Sequence, residues 1–253
     1  VYDLASLTKV TATTAAVMKL VEAEKISLTD KIGNYIPEFS SGNKKNITIE
    51  NFLLHNSGLP PFRVYVDSLK SEKKIIEAIK NEPLTYETGT DYRYSDLGFI
   101  LLGEIIEQVT GKPLDQYLRE TFYYPLGMSS TFFNPKKMGE YFIDRIPPTE
   151  IDTVFRDTTV HAEVHDERSY FLNGVAGHAG LFSSGRDLAI FCQMLLNNGW
   201  YAGRRYLEPS TIQKFTKRQA KHSNRGYGFD RKSGKNSTAG SLTSKKTFGH
   251  LGF

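Results

Sequence analysis

The sequence predicts an α+β fold in which helices outnumber strands. Three observations lead there. Residues 6–24 carry apolar and small residues at helical spacing, as a buried helix needs. The stretch LGFILLGEIIEQVTG at 97–111 is a second strongly apolar helix, closed by Gly111. Strand signals are sparse and sit near the end, in YGFD at 227–230 and KKTFGHLGF at 245–253. Two strands do not make a stable sheet alone, so strands are expected beyond those the pattern shows.

Between these markers each element follows from its own residues. ISLTDKIGNYIPEF, 26–39, is a loop with a short turn, and SSGNKKNIT, 40–48, is a polar turn. Thr48 is placed to cap a short helix, IENFLLHN, that Gly58 ends. SLKSEKKIIEAIKN, 68–81, is an amphipathic helix, and residues 82–98 form a loop rich in Pro, Gly, Thr and Tyr. Pro113 opens a helix over PLDQYLRETFYYPLGM. Residues 134–180 lack periodicity and read as a long irregular excursion, a feature often tied to function. SSGRDLAIFCQMLLNNG, 183–199, is a capped helix and EPSTIQKFTKRQ, 208–219, another.

Composition narrows the function classes. The chain has 253 residues, 39% hydrophobic and 24% charged, which is ordinary globular composition. Its net charge of +4 is spread over helix-like clusters such as KSEKK and KFTKRQAK, so no nucleic-acid partner is expected. The single cysteine, Cys192, is expected as a small core residue and cannot form an internal disulfide. No apolar run approaches the roughly 18 residues of a membrane span. The opening VYDLAS reads like the inside of a domain, so a targeting segment could lie upstream.

The chemistry centres on ASLTK. A serine hydroxyl needs a base to become a nucleophile. On a helix Ser6 and Lys9 share a face. Burial among apolar neighbours lowers a lysine pKa, and free backbone N–H groups of the first turn can face an oxyanion. A capping serine beside a snorkelling lysine is the bland alternative, with Asp3 as a rival cap. The S-x-x-K spacing also occurs at Ser41–Lys44 and Ser71–Lys74, but only Ser6 and Lys9 lie in an apolar helix.

With that motif, and with two more in order behind it, the chain resembles the serine β-lactamase and penicillin-binding protein superfamily, in its class C-like branch. The second motif is Tyr94-Ser95-Asp96 and the third His250-Leu251-Gly252. LLHNSGLP at 53–60, GKPLDQYLRETFYYPLGMSST at 111–131 and NGVAGHAGLFSSGRDLAIFCQMLLNNG at 173–199 fit the same branch. VHDERSY, at 164–170, is similar to the carboxypeptidase-type members and to modules attached to cell-wall-recycling glycosidases. Tyr65-Val66-Asp67 also fits the second motif but lacks the apolar helix behind it. His178-Ala179-Gly180 fits the third, yet it comes early and is expected to run into a helix rather than lie on a strand.

The resemblance implies a β-lactamase/transpeptidase-like fold: one antiparallel sheet flanked by helices, incomplete in this chain, and a helical lobe over roughly 45–180 of a single domain spanning 1–253. It implies strands before residue 1 and after residue 253, with room for a membrane anchor or fused domain outside the chain. It implies an acyl-enzyme on Ser6, proton movement by Lys9 and Tyr94, and an oxyanion hole from the backbone N–H groups of Ser6 and Phe253. His250 would sit beside the substrate carboxylate, Gly252 would permit close backbone approach, and His178 would line the cleft. No metal or organic cofactor is called for. Asp96 stands where the family has asparagine; an ionised carboxylate only accepts hydrogen bonds, and it can pair with Lys9 and raise the lysine pKa. Substrates would be D-amino-acid peptides of the cell wall, then small esters or β-lactams, in an extracytoplasmic or periplasmic location. Two rivals stand beside this reading. His161, Glu163, His165 and Asp166 could form a metal centre, although H-x-E-x-H is not the helical zinc spacing. A catalytically weak cell-wall-binding module is the other.

Overall fold

The structure, a computed structural model, describes residues 1–62, 71–234 and 239–252. Strand β1 (Tyr2–Asp3) leads into a 3-10 turn, Ala5–Leu7, a π-helical stretch, Lys9–Thr14, and helix α1 (Ala15–Glu22). Residues 8–18 are buried without a break, because alanines and threonines let neighbouring elements approach on every side. Thr8, Thr13 and Thr14 are fully buried, and Thr13 Oγ donates to the Gly177 carbonyl at 2.6 Å. Thr8 Oγ accepts from the Leu181 N–H at 3.2 Å.

Helix α2 (Ile49–Leu53) starts from a Thr48–Asn51 capping box, as its sequence asks. It stops before His55, whose φ of 55° turns the chain, so Gly58 is not its terminator. Gly58 instead takes a positive φ in the turn that passes the Tyr86 carbonyl. Helix α3 (Glu72–Asn81) buries Ile75, Ile76 and Ile79. Helix α4 (Asp96–Thr110) is closed by Gly111 in the left-handed region. The segment opened by Pro113 is broken into α5 (Leu114–Leu118), a π-helical turn, Arg119–Tyr123, and α6 (Tyr124–Leu126).

Strand β2 (Phe132–Phe133) follows. The predicted irregular excursion holds short elements: α7 (Glu140–Ile143), the hairpin β3 (Glu150–Asp152) with β4 (Thr158–Val160), and α8 (Glu167–Phe171). Then come β5 (Leu181–Ser183), α9 (Gly185–Leu196), β6 (Trp200–Tyr201), β7 (Arg204–Arg205), α10 (Pro209–Thr216), β8 (Asp230–Arg231) and β9 (Phe248–Gly249).

The architecture is α+β, but the described strands form four small antiparallel sheets rather than one. The largest has the order β1–β5–β2, with Asp3 and Phe132 both opposite Phe182. The expected C-terminal pair exists as β8–β9, yet only Asp230 of YGFD is in it, because Gly228 takes a positive φ of 78°. His178-Ala179-Gly180 runs into strand β5, not into a helix; three strand residues precede the Ser184 cap of α9. Cys192 is exposed, which corrects its core assignment: on α9 the buried side belongs to Phe191, Met194 and Leu195, and Cys192 points about 100° away from Phe191.

One close contact sets the height of the loop before β5 over α4. A Cβ on Gly177 would overlap the Phe99 carbonyl oxygen and come within 3.1 Å of the Gly103 nitrogen. Gly103 thus earns its place inside an apolar helix by letting residues 176–178 lie flat on it.

Candidate active site

Ser6 lies in the 3-10 turn and Lys9 at the first position of the π-helical stretch. Ala5 between them and β1 has φ 45°, an uncommon conformation for a residue with a Cβ, and Asp3 Oδ1 holds it by accepting the Ala5 N–H at 2.8 Å. Asp3 thus braces the start of the turn, and Ser6 lies inside the turn rather than capping it. Lys9 is fully buried. Its ammonium donates to Ser6 Oγ at 2.9 Å and to the His178 carbonyl at 3.1 Å, and it is ion-paired with Asp96 Oδ1 at 2.8 Å. Burial pulls the Lys9 pKa below the ordinary lysine value, and Asp96 opposes that pull.

Tyr94 and Asp96 arrive together because the strand-like segment before α4 is pinned to the segment after α2. Ser95 N–H donates to His55 Nδ1 at 3.0 Å, Ser95 Oγ to the Pro60 carbonyl at 2.6 Å, and Asp96 N–H to the Pro61 carbonyl at 2.9 Å. Asp96 is the first residue of α4, where the helix dipole favours a negative charge. Burial alone would raise its pKa, but Lys9, His178 and Arg168 outweigh that and hold it below the usual carboxylate value. The Tyr94 ring packs on His55 with centroids 4.5 Å apart, and Lys9 Nζ lies 4.9 Å from the ring. Burial and the Asp96 charge push the Tyr94 pKa above the ordinary tyrosine value, against the opposing pull of the nearby Ser6 hydroxyl.

His250 follows β9 directly rather than lying on it. Its ring faces Tyr94 at 5.8 Å, and its pKa is lowered to about 4 by burial and by the Arg225 and Lys9 charges. The imidazole is therefore neutral near pH 7. A cavity of about 120 Å³ lined by Asp230, Phe248, Gly249 and His250 opens beside it. Gly252 packs on the turn that carries Ser6: a Cβ there would lie 2.8 Å from the Leu4 carbonyl oxygen. His178 does not line an open cleft; it is buried, and its Nε2 bonds Asp166 Oδ1 at 2.8 Å. Phe253 and the competing Tyr65-Val66-Asp67 lie outside the described residues.

Four residues near this centre were not assigned such a place from the sequence. Arg168 holds Asp96 Oδ2 at 2.8 Å and Asp166 Oδ2 at 2.6 Å. Asp166 also caps α8 through the Ser169 N–H. His55 supports Tyr94 and Ser95, and burial keeps its pKa well below the ordinary histidine value. Arg225 is buried with its guanidinium 5.8 Å from the Tyr94 ring and paired with Asp230. VHDERSY was a signal for Asp166 and Arg168, and LLHNSGLP one for His55; nothing local marked Arg225.

The alternative metal donors do not converge. His161 Nε2 bonds the Ile146 carbonyl at 2.7 Å, Glu163 pairs with Lys136 at 2.8 Å, and His165 contacts Glu150. Among the described residues one trio of such donors does converge, Asp96, Asp166 and His178, and both carboxylates are already engaged by Lys9 and Arg168.

The profile of the β-lactamase family matches residues 1–253. Curated proteins named "Putative D-alanyl-D-alanine carboxypeptidase" from Escherichia coli and Salmonella typhimurium are each 37% identical over the whole chain, which spans 64% of their length. A penicillin-binding protein homolog from Caulobacter crescentus superposes with TM-score 0.75 at 21% identity, over 100% of this chain and 72% of its own. A class C β-lactamase from Rhodobacter sphaeroides gives 0.69 at 16% identity, over 90% and 60%. These two share the fold.

Proposed function

The chain belongs to the β-lactamase family, and from that premise we propose that it is a serine hydrolase working through an acyl-enzyme on Ser6. The observation that carries the reading is the fully buried Lys9 with its Nζ 2.9 Å from Ser6 Oγ. In the proposed reaction Lys9 enters as the free amine, its proton already lost to solvent, a form that burial favours. Ser6 Oγ then attacks the substrate carbonyl while its proton passes to Lys9. Backbone N–H groups of Ser6 and Phe253 are the proposed oxyanion donors. Tyr94, beside Lys9 and with a raised pKa, suits the role of acid to the leaving group. Collapse of the tetrahedral intermediate leaves the acyl group on Ser6, and water completes hydrolysis.

The names of the curated relatives support cell-wall peptides ending in D-amino acids as the first substrate class, with small esters and β-lactams behind them. An extracytoplasmic location follows from that substrate, and an anchor or fused domain outside the chain is compatible with it. Neutral His250 places no fixed positive charge beside a substrate carboxylate, and its one N–H is given to the Leu251 carbonyl at 2.7 Å. Gly252 is the residue that permits the backbone of 250–252 to lie against the Ser6 turn. One observation favours a second reading, a catalytically weak binding module: the Asp96 ion pair stabilises the protonated form of Lys9, which cannot act as a base.

Intact-protein mass spectrometry separates the two. Incubation with a fluorophosphonate, and separately with a labelled penicillin, is expected to give a single adduct that Ser6→Ala abolishes. Release of D-alanine from a peptide ending in two D-alanines then distinguishes a carboxypeptidase from an esterase. Absence of an adduct from both probes on folded protein would sink the hydrolase and leave the binding module.

A further inference from the structure

Behind the nucleophile the charged groups close into a ring. Lys9 Nζ meets Asp96 Oδ1 at 2.8 Å, and Arg168 takes the other oxygen, Oδ2, also at 2.8 Å. The same Arg168 nitrogen meets Asp166 Oδ2 at 2.6 Å, and Asp166 Oδ1 meets His178 Nε2 at 2.8 Å. The His178 carbonyl returns to Lys9 Nζ at 3.1 Å. Two cations and two carboxylates alternate along it, and His178 closes the ring. Arg168 does not touch Ser6, and its side chain is only 14% exposed.

We infer that Arg168 is a positioning residue for Lys9: it divides the Asp96 carboxylate, so that Lys9 holds one oxygen of a shared anion. A carboxylate given wholly to a buried lysine would lock the ammonium in place. A carboxylate already compensated by a guanidinium holds it more loosely, and a second cation nearby also disfavours the lysine charge. Asp166 works in the opposite sense, because it draws Arg168 away from Asp96 and adds a negative charge near Lys9. This explains how a site with aspartate at position 96 could still present a lysine able to lose its proton. The inference rests on the acyl-enzyme reading for its purpose but not for its test.

The groups facing Lys9 are known on every side. Ser6 lies on its own segment and Tyr94 on the segment before α4. Asp96 is on α4, and Asp166 and Arg168 are at the start of α8. His178 offers only its carbonyl. His55 and His250, packed against or facing Tyr94, feel the Lys9 charge more remotely and are left unchanged in every variant.

The test is the titration of Lys9, followed by the NMR signal of its 13C-labelled Cε and assigned by its loss in Lys9→Arg. Arg168→Met is expected to raise the Lys9 midpoint by about one pH unit, and Asp166→Asn to lower it by a similar amount. Arg168→Lys, which keeps the charge, is expected to stay within a few tenths of a unit of the parent. Asparagine preserves the α8 cap, so Asp166→Asn keeps the test open if Arg168→Met does not fold. A purely structural brace would give no shift, or shifts of one sign, and either result overturns the inference. If the parent protein forms a fluorophosphonate adduct, the acid limb of its acylation rate must move with the same signs. If it forms none, the hydrolase reading fails while the Lys9 titration still decides this one.

Discussion

Tyr94 shows how a single side chain can be tested apart from its fold. Its ring packs at a tilt on His55 and faces His250, while its hydroxyl is near enough to Ser6 to feel it. Tyr94→Phe keeps the packing and removes only the hydroxyl. Acylation of Ser6 is expected to fall by about 10²–10⁴-fold, with thermal stability changed by no more than about 1 kcal/mol. Rapid-quench acylation and calorimetry on one preparation check both halves. Ser6, Lys9, Tyr94 and Asp96 were legible because each belongs to a short motif whose spacing is itself chemical. Arg168 and Arg225 were not, because an arginine becomes part of a site only through what the fold lays against it. Asp166 illustrates the same limit: its neighbours in sequence suggested a metal, and its neighbours in space are Arg168 and His178.

Elements were legible in proportion to their length. Helices α3, α4, α9 and α10 follow the predicted spans because many residues vote on one periodicity. Strands β1, β2 and β5 are two or three residues long, too short to show alternation, and only their pairing makes them strands. The π-helical form of Lys9–Thr14 likewise has no mark in the residues. Where the loop before β5 meets α4, the contact at Gly177 is exposed to a small change. Gly177→Ala must push the loop before β5 off α4, and the His178 carbonyl would move with it. A loss of about 2–3 kcal/mol in urea unfolding is expected, with Ser6 acylation down by about 10-fold or more. An unchanged midpoint would mean that the loop can rise without cost.

At the scale of the whole molecule, stability carries two opposed pH signatures. His55 and His250 have folded pKa values below the ordinary 6.5, with His250 near 4. The unfolded chain therefore binds more protons between about 4 and 6.5, and stability falls as pH drops through that window. Glu104 runs the other way. It borders a cavity of about 290 Å³ with Glu72 and Glu107, and burial with those two charges raises its pKa to about 7. Here the folded state binds the extra proton between 4.5 and 7, so stability falls as pH rises through that interval. Glu104→Gln is expected to stabilise the protein by on the order of 1–3 kcal/mol at pH 8 and by little below pH 4.5. Thermal melts at both pH values would show a gain that vanishes in acid; an equal gain at both would contradict the assignment. The contact between Lys9 and the His178 carbonyl joins residues 169 positions apart. At ribosomal speeds of about 5–20 residues per second, that gap lasts roughly ten to thirty seconds. Throughout it the newborn Lys9 lacks that part of its wall, so the proposed hydrolase stays chemically silent until at least residue 178 has been synthesised.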